Sequence, residues 1–143
     1  MEFQGEEVME ASLPKMWELV SNPVSLAGCF PGLQKVEHLD TRRFNATVLL
    51  GVSFVKGSFD FQFEIAEKEE PSRMLLNGVG KGVGSIIDLR LTVELAEVDA
   101  KSRISWHADV AFKGLLAGVG ENLIRKGVEA NVNKFFECLA KLR

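Results

Sequence analysis

Cysteine is almost missing from this chain of 143 residues: Cys29 and Cys138 are its two, and they stand in no Cys-x-x-Cys or other metal-ligand spacing. From such a pair neither a disulfide framework nor a zinc site is expected, and the chain reads as intracellular. An excess of positive charge is missing as well. Lysine and arginine number 17 against 20 acids, a formal net charge of -3. The densest basic groups, Arg42-Arg43 and Arg125-Lys126, are too small for a phosphate-binding footprint, which excludes nucleic acid as partner. No stretch approaches the ~20 apolar residues of a membrane span. Met1 to Glu10 carry several acids and no apolar core of a secretion signal. Linkers, internal repeats and low-complexity segments are absent, so residues 1–143 are expected to form one domain with a sizeable core.

Catalytic patterns are also scarce. The two histidines, His38 and His107, lie on or beside strand-like segments with no nucleophile motif near them, so no Ser-His-Asp or Cys-His arrangement is readable. His107 falls on the polar parity of its segment and is expected at the surface. Cys29 precedes a Pro-Gly turn, yet no cation or helix N-terminus stands near it to lower its pKa. Asp88 and Arg90 alternate with Ile87, Leu89 and Leu91, as in an exposed ladder of cross-strand ion pairs. The run Gly78-Val79-Gly80-Lys81-Gly82-Val83-Gly84 misses the GxGxxG spacing of a dinucleotide loop, because position 83 is valine. It reads instead as a tight hairpin between long strands. Gly114 to Gly120 lacks the Gly-Lys-Ser/Thr of a phosphate loop. No catalytic residue, metal ligand or cofactor is expected.

What the chain does contain is alternation. Met1 to Ala11 reads as an opening strand with a distant partner. Ser12 can cap a short helix through Val20, with Pro14 in its first turn, and Val24 to Ala27 a second, before the turn forced by Pro31 and Gly32. Strand-like segments follow at Leu33–Leu39, Arg43–Val52, Phe54–Lys68, Arg73–Lys81, Ser85–Val98 and Ser102–Lys113. The clearest sets Phe59, Phe61, Phe63 and Ile65 against Asp60, Gln62 and Glu64. Leu115 to Arg143 then reads as one amphipathic helix on the order of 40 Å long. Its stripe is Leu116, Val119, Leu123, Val128, Val132, Phe135, Phe136, Leu139 and Leu142.

A long helix must bury its stripe along the width of a sheet, and a curved antiparallel sheet around one terminal helix leaves a hollow between them. The inward faces read from parity are Phe44, Val48 and Leu50; Phe59, Phe61 and Phe63; Leu89, Leu91 and Val93; and Trp106, Ala108 and Val110. The helix adds Leu116, Val119 and Leu123. These could wall a cavity for an oily ligand or fill a dry core. Gly118 and Gly120 would stand in the opening turns of the helix, each costing ~1 kcal/mol of propensity relative to alanine. That would make this the least stable part of the helix and a candidate gate, although close packing on the sheet would equally explain the pair.

Several of these residues carry a resemblance. Trp17, Asn22-Pro23, Leu26-Ala27, Cys29-Phe30-Pro31-Gly32, Lys56-Gly57-Ser58-Phe59, Gly78-Val79-Gly80 and Gly114-Leu115-Leu116-Ala117 together resemble the CoxG family of carbon monoxide dehydrogenase proteins, over nearly the whole chain. That family is similar to the START and Bet v 1-like superfamily. The resemblance implies an α+β helix-grip fold: a curved antiparallel β-sheet, two short helices, and a long C-terminal helix over an internal hydrophobic cavity. It also implies a non-catalytic carrier of a lipid or quinone, accessory to a molybdenum-containing carbon monoxide dehydrogenase-type hydroxylase. A cyclase- or hydrolase-like helix-grip enzyme and an assembly factor are the alternatives. Some members carry a hydrophobic C-terminal anchor. With none after its last apolar stripe, this chain is expected to be cytoplasmic and to meet a membrane, if at all, peripherally at its inner face.

Overall fold

Segments that alternate apolar and polar residues cannot be stable alone, since each has one face to cover; here they cover it together. In the computed structural model, which describes Met1 to Leu142, the strands are β1 (Glu2–Met9), β2 (Leu33–His38), β3 (Arg43–Val52), β4 (Val55–Glu69), β5 (Arg73–Gly82), β6 (Ser85–Val98) and β7 (Lys101–Gly114). They form one antiparallel sheet in the order β1-β7-β6-β5-β4-β3-β2. The opening strand finds its distant partner in β7, with Phe3 opposite Ala108 and Gly5 opposite Trp106. Parity is kept across the sheet. Phe44, Phe63, Gly78, Leu89 and Val110 form one continuous row of opposed residues from β3 to β7.

Two short helices, α1 (Leu13–Ser21) and α2 (Pro23–Gly28), follow β1. Ser12 caps α1 by accepting from the Lys15 amide, and Asn22 Oδ1 caps α2 by accepting from the Val24 amide at 2.9 Å. Met16, Trp17, Leu19 and Val20 of α1, with Leu26 and Ala27 of α2, are buried in the main core. Together with the long helix α3 (Glu121–Leu142) this is the helix-grip architecture.

The structure corrects three expectations. The last helix does not run unbroken from Leu115: Leu115–Gly118 is a 3-10 turn, and Gly120, at φ +102°, separates it from α3. That backbone conformation suits a residue without Cβ. A Cβ on either Gly118 or Gly120 would meet nothing within 4 Å, so close packing is not what these glycines serve. Phe54 does not open β4. It sits in the β3–β4 turn after Ser53, which has φ 56°, and it is exposed. Finally, Cys29 and Cys138 are joined in a disulfide, with their Cα atoms 5.5 Å apart. Two cysteines separated by 109 residues carry no spacing signal; the fold brings them together. The bond ties the end of α2 to the last turns of α3 and removes the ground for reading the chain as intracellular, since disulfides persist in oxidising surroundings.

Candidate ligand-binding hollow

Between the concave face of the sheet and α3 lies a hollow of about 330 Å³. Its cause is a gradient in side-chain size along the helix. The inward positions in the first half of α3 are Ile124, Gly127, Val128, Asn131 and Val132, whereas those in the second half are Phe135, Phe136 and Leu139. Large side chains fill the space beneath the C-terminal half. Small ones leave it open beneath the N-terminal half. Gly127 marks the close approach of the helix to the sheet, where a Cβ would stand 3.0 Å from Val52.

The sheet supplies most of the wall. Of the residues expected there, Val48, Leu50, Phe59, Phe61, Phe63, Leu89, Leu91, Trp106, Ala108, Val110 and Leu116 border the hollow. Phe44, Val119 and Leu123 do not. Phe44 has the inward parity but is wholly buried, its ring stacked on Phe63 at 5.0 Å and tilted against Phe30. Leu123 is exposed and Ile124 takes its inward place. Because α3 restarts after Gly120, its phase is set by Ile124, Val128, Asn131 and Phe135, and Leu123 lies about 100° off that line. Val119 belongs to the junction between the 3-10 turn and α3, half-buried against the core. Gly118 and Gly120 lie in that same junction, not inside the helix.

Three aromatic rings owe their placement to glycines opposite them. Phe61 faces Gly80 and Phe63 faces Gly78 across β4 and β5. Trp106 faces Gly5 across β7 and β1. A Cβ at Gly78 would stand 2.6 Å from the Phe63 ring, and one at Gly5 would stand 3.0 Å from the Trp106 ring. Each ring therefore lies across its neighbour's backbone. The glycine run that read as a flexible hairpin is thus largely a bed for phenylalanine rings.

Among the described residues the wall has one polar side chain, Asn131. The buried hydroxyls elsewhere serve the backbone: Ser85 Oγ accepts from the Leu116 amide at 2.9 Å, and Ser102 Oγ donates to the Ala11 carbonyl. Sequence reasoning did not single out Asn131, since its helical phase becomes readable only once the break at Gly120 is known. Both histidines are away from the wall. His38 is exposed, and His107 Nε2 lies 4.0 Å from the Glu2 carboxylate on the outer face. With Asp109 these two form a trio on the surface. Asp88 and Arg90 are exposed as expected, but among the described residues they enter no ion pair. No described helix is long and apolar enough to cross a membrane.

The family model for CoxG, a carbon monoxide dehydrogenase protein, matches residues 5–142. The chain belongs to the CoxG family. No curated protein matches it. Among solved structures it is similar to a conserved protein from Geobacillus kaustophilus at 18% identity and a TM-score of 0.91, covering 99% of this chain and 93% of that one. It is also similar to a START superfamily protein from Mycobacterium smegmatis at 11% identity and a TM-score of 0.77, with 98% and 94% covered. A third is the ZhuI aromatase/cyclase from a Streptomyces species, at 12% identity and a TM-score of 0.71, with 99% and 92% covered. At these identities the likeness shows a shared fold.

Proposed function

We propose that this CoxG-family protein binds and carries a hydrophobic small molecule, a lipid or quinone, in the hollow under α3. The observation that carries the reading is the wall: some 330 Å³ enclosed by aliphatic and aromatic side chains, with Asn131 as the polar group among those described. A volume of this order lies within the range of small-molecule sites, and one polar anchor on an apolar wall orients a ligand without reacting with it. A quinone carbonyl or a lipid hydroxyl could accept from or donate to the Asn131 amide, while the rest of the molecule is held by removal of apolar area from water, at about 25 cal/mol per Å². A cyclase-like activity would call for titratable or nucleophilic groups along the wall, and a pure assembly factor would call for a filled core. Carriage fits the hollow better than either. The family name adds the partner class: an accessory role beside a molybdenum-containing carbon monoxide dehydrogenase-type hydroxylase, passing the ligand to or from it.

Native mass spectrometry of freshly purified protein, searched for a co-purified lipid or quinone, tests this directly. In titration with a quinone, Trp106 on the wall should be quenched while Trp17, buried between α1 and the sheet, should respond little. Failure of every apolar probe to bind would return the hollow to the status of a packing defect.

A further inference from the structure

One end of the sheet combines exposed apolar side chains with a one-signed charge. The β3–β4 turn, the β5–β6 turn and the 3-10 turn all lie there. They are joined to one another: the Leu115 amide donates to the Gly84 carbonyl at 3.1 Å, the Leu116 amide to Ser85 Oγ, and Val83 packs beside Gly57 at the start of β4. The start of α3 completes the group, with Gly127 resting on Val52. From this end project Phe54, 68% exposed, Leu115, 54%, and Leu123, 46%. Phe54 is held outward by the turn itself, at a position where a polar residue would cost nothing in packing.

The charge pattern at this end is as lopsided. Residues 51–58, 81–86 and 112–120 hold Lys56, Lys81 and Lys113 and no acid, in a chain whose net charge is -3. All three lysines are exposed. Into the first turns of α3, Glu121 is occupied by Arg125 at 3.3 Å, and Lys126 adds another exposed cation. The turns at the opposite end carry Asp40, Glu69, Glu70, Glu97 and Asp99. Protruding phenylalanine and leucine ringed by lysine, on an otherwise acidic molecule, match the interface of an anionic bilayer, where apolar side chains enter the headgroup boundary and lysines meet lipid phosphates.

We propose that this end, built on Phe54, Leu115 and Leu123 with Lys56, Lys81 and Lys113, docks the protein on an anionic lipid surface. The end also carries Leu116 of the hollow's wall, so docking would bring the hollow to the membrane; that consequence rests on the carrier reading, whereas the surface itself does not. The test is co-sedimentation of the full chain with vesicles of phosphatidylcholine containing about 30% phosphatidylglycerol, against phosphatidylcholine alone. Binding to the anionic vesicles should weaken about tenfold for Phe54→Ser, and similarly for the triple change Lys56→Gln, Lys81→Gln, Lys113→Gln, and should fall steeply with salt. Val24→Ser, which removes an exposed apolar side chain on α2, should leave it unchanged. Equal binding to neutral vesicles, no binding to either, or indifference to both variants would overturn the proposal. So would a protein dimer lost in Phe54→Ser without any vesicle binding, since the surface would then serve a second copy. Quinone quenching of Trp106, measured without vesicles, reports on the hollow separately, so loss of docking and loss of carriage remain distinguishable.

Discussion

The two halves of the concave face have similar compositions and opposite packing. Over β3, β4 and β5, the inward side chains Phe44, Phe59, Ile65, Met74 and Leu76 are sealed to 2% exposure or less. Over β6 and β7, Leu89, Leu91, Trp106, Val110 and Phe112 remain half-buried. Both sets are apolar, both keep period-two parity, and both are opposed in register across the sheet. The difference comes from what lies above them. The sealed half meets Phe30, Phe135 and Leu139, pinned by the Cys29–Cys138 bond, while the open half faces Val128 and Val132 of the helix. An apolar parity therefore predicts that a residue points inward and does not predict whether anything fills the space it points into.

The largest effect should come from breaking the sealed half. Phe44→Ala removes a ring stacked on Phe63 and should destabilise by roughly 3–5 kcal/mol, whereas Val110→Ala at the hollow should cost well under half of that and change the affinity for apolar probes instead. Urea unfolding of both variants checks it. Equal losses would mean that the two halves are equally packed.

Cutting the pin between α2 and α3 should come next. Cys138→Ser, or reduction by a thiol reagent, opens a loop spanning 109 residues and should lower stability by about 2–4 kcal/mol. The loss should be accompanied by faster amide exchange in the last turns of α3. If exchange rises only near Gly120, the bond does not hold the sealed half together.

A smaller effect is expected at the junction over the hollow. Gly120→Ala places a Cβ at φ +102° and should cost roughly 1–2 kcal/mol, while Gly118→Ala, in open space and ordinary backbone, should stay within about 0.5 kcal/mol of the parent. Thermal melts would compare them. Stabilisation by both changes would restore an unbroken helix from Leu115.

The least effect should be seen in acid, at the turn after β2 beside the sealed half. There the Arg42 and Arg43 amides and the Arg43 guanidinium donate to Asp40, lowering its pKa from 3.8 to about 2. A carboxylate whose folded pKa is depressed contributes stability that is complete above its unfolded pKa and is lost as pH falls through the folded one. The contribution should therefore fade between pH 3.8 and about 2 and be absent in Asp40→Asn. A carbon-detected NMR titration of Asp40 with a midpoint near an ordinary aspartate would contradict it.

Much of the fold is legible in the sequence because strand parity is a local property. Phe59, Phe61, Phe63 and Ile65 show their inward face by spacing alone, and the strands begin and end within about two residues of the expected positions. Ser12 and Asn22 show the helix starts by their capping chemistry. The wall is partly legible for the same reason. Phe44, Val119 and Leu123 are misplaced by it because an inward parity does not distinguish cavity from core, and because a helix read from Leu115 carries the wrong phase past Gly120.

By itself, then, the sequence determined the order of elements, the parity of each strand, the caps of the short helices and the family. Each rests on interactions within a few residues or on patterns of side-chain type. The tertiary structure alone decided the pairing of Cys29 with Cys138, the break at Gly120, the bedding of Phe61, Phe63 and Trp106 on opposing glycines, and the hollow itself. A void is the difference between the volume that the sheet and helix enclose and the volume their side chains occupy. That difference depends on residues as distant in the chain as Leu50 and Val132, and no local pattern contains it.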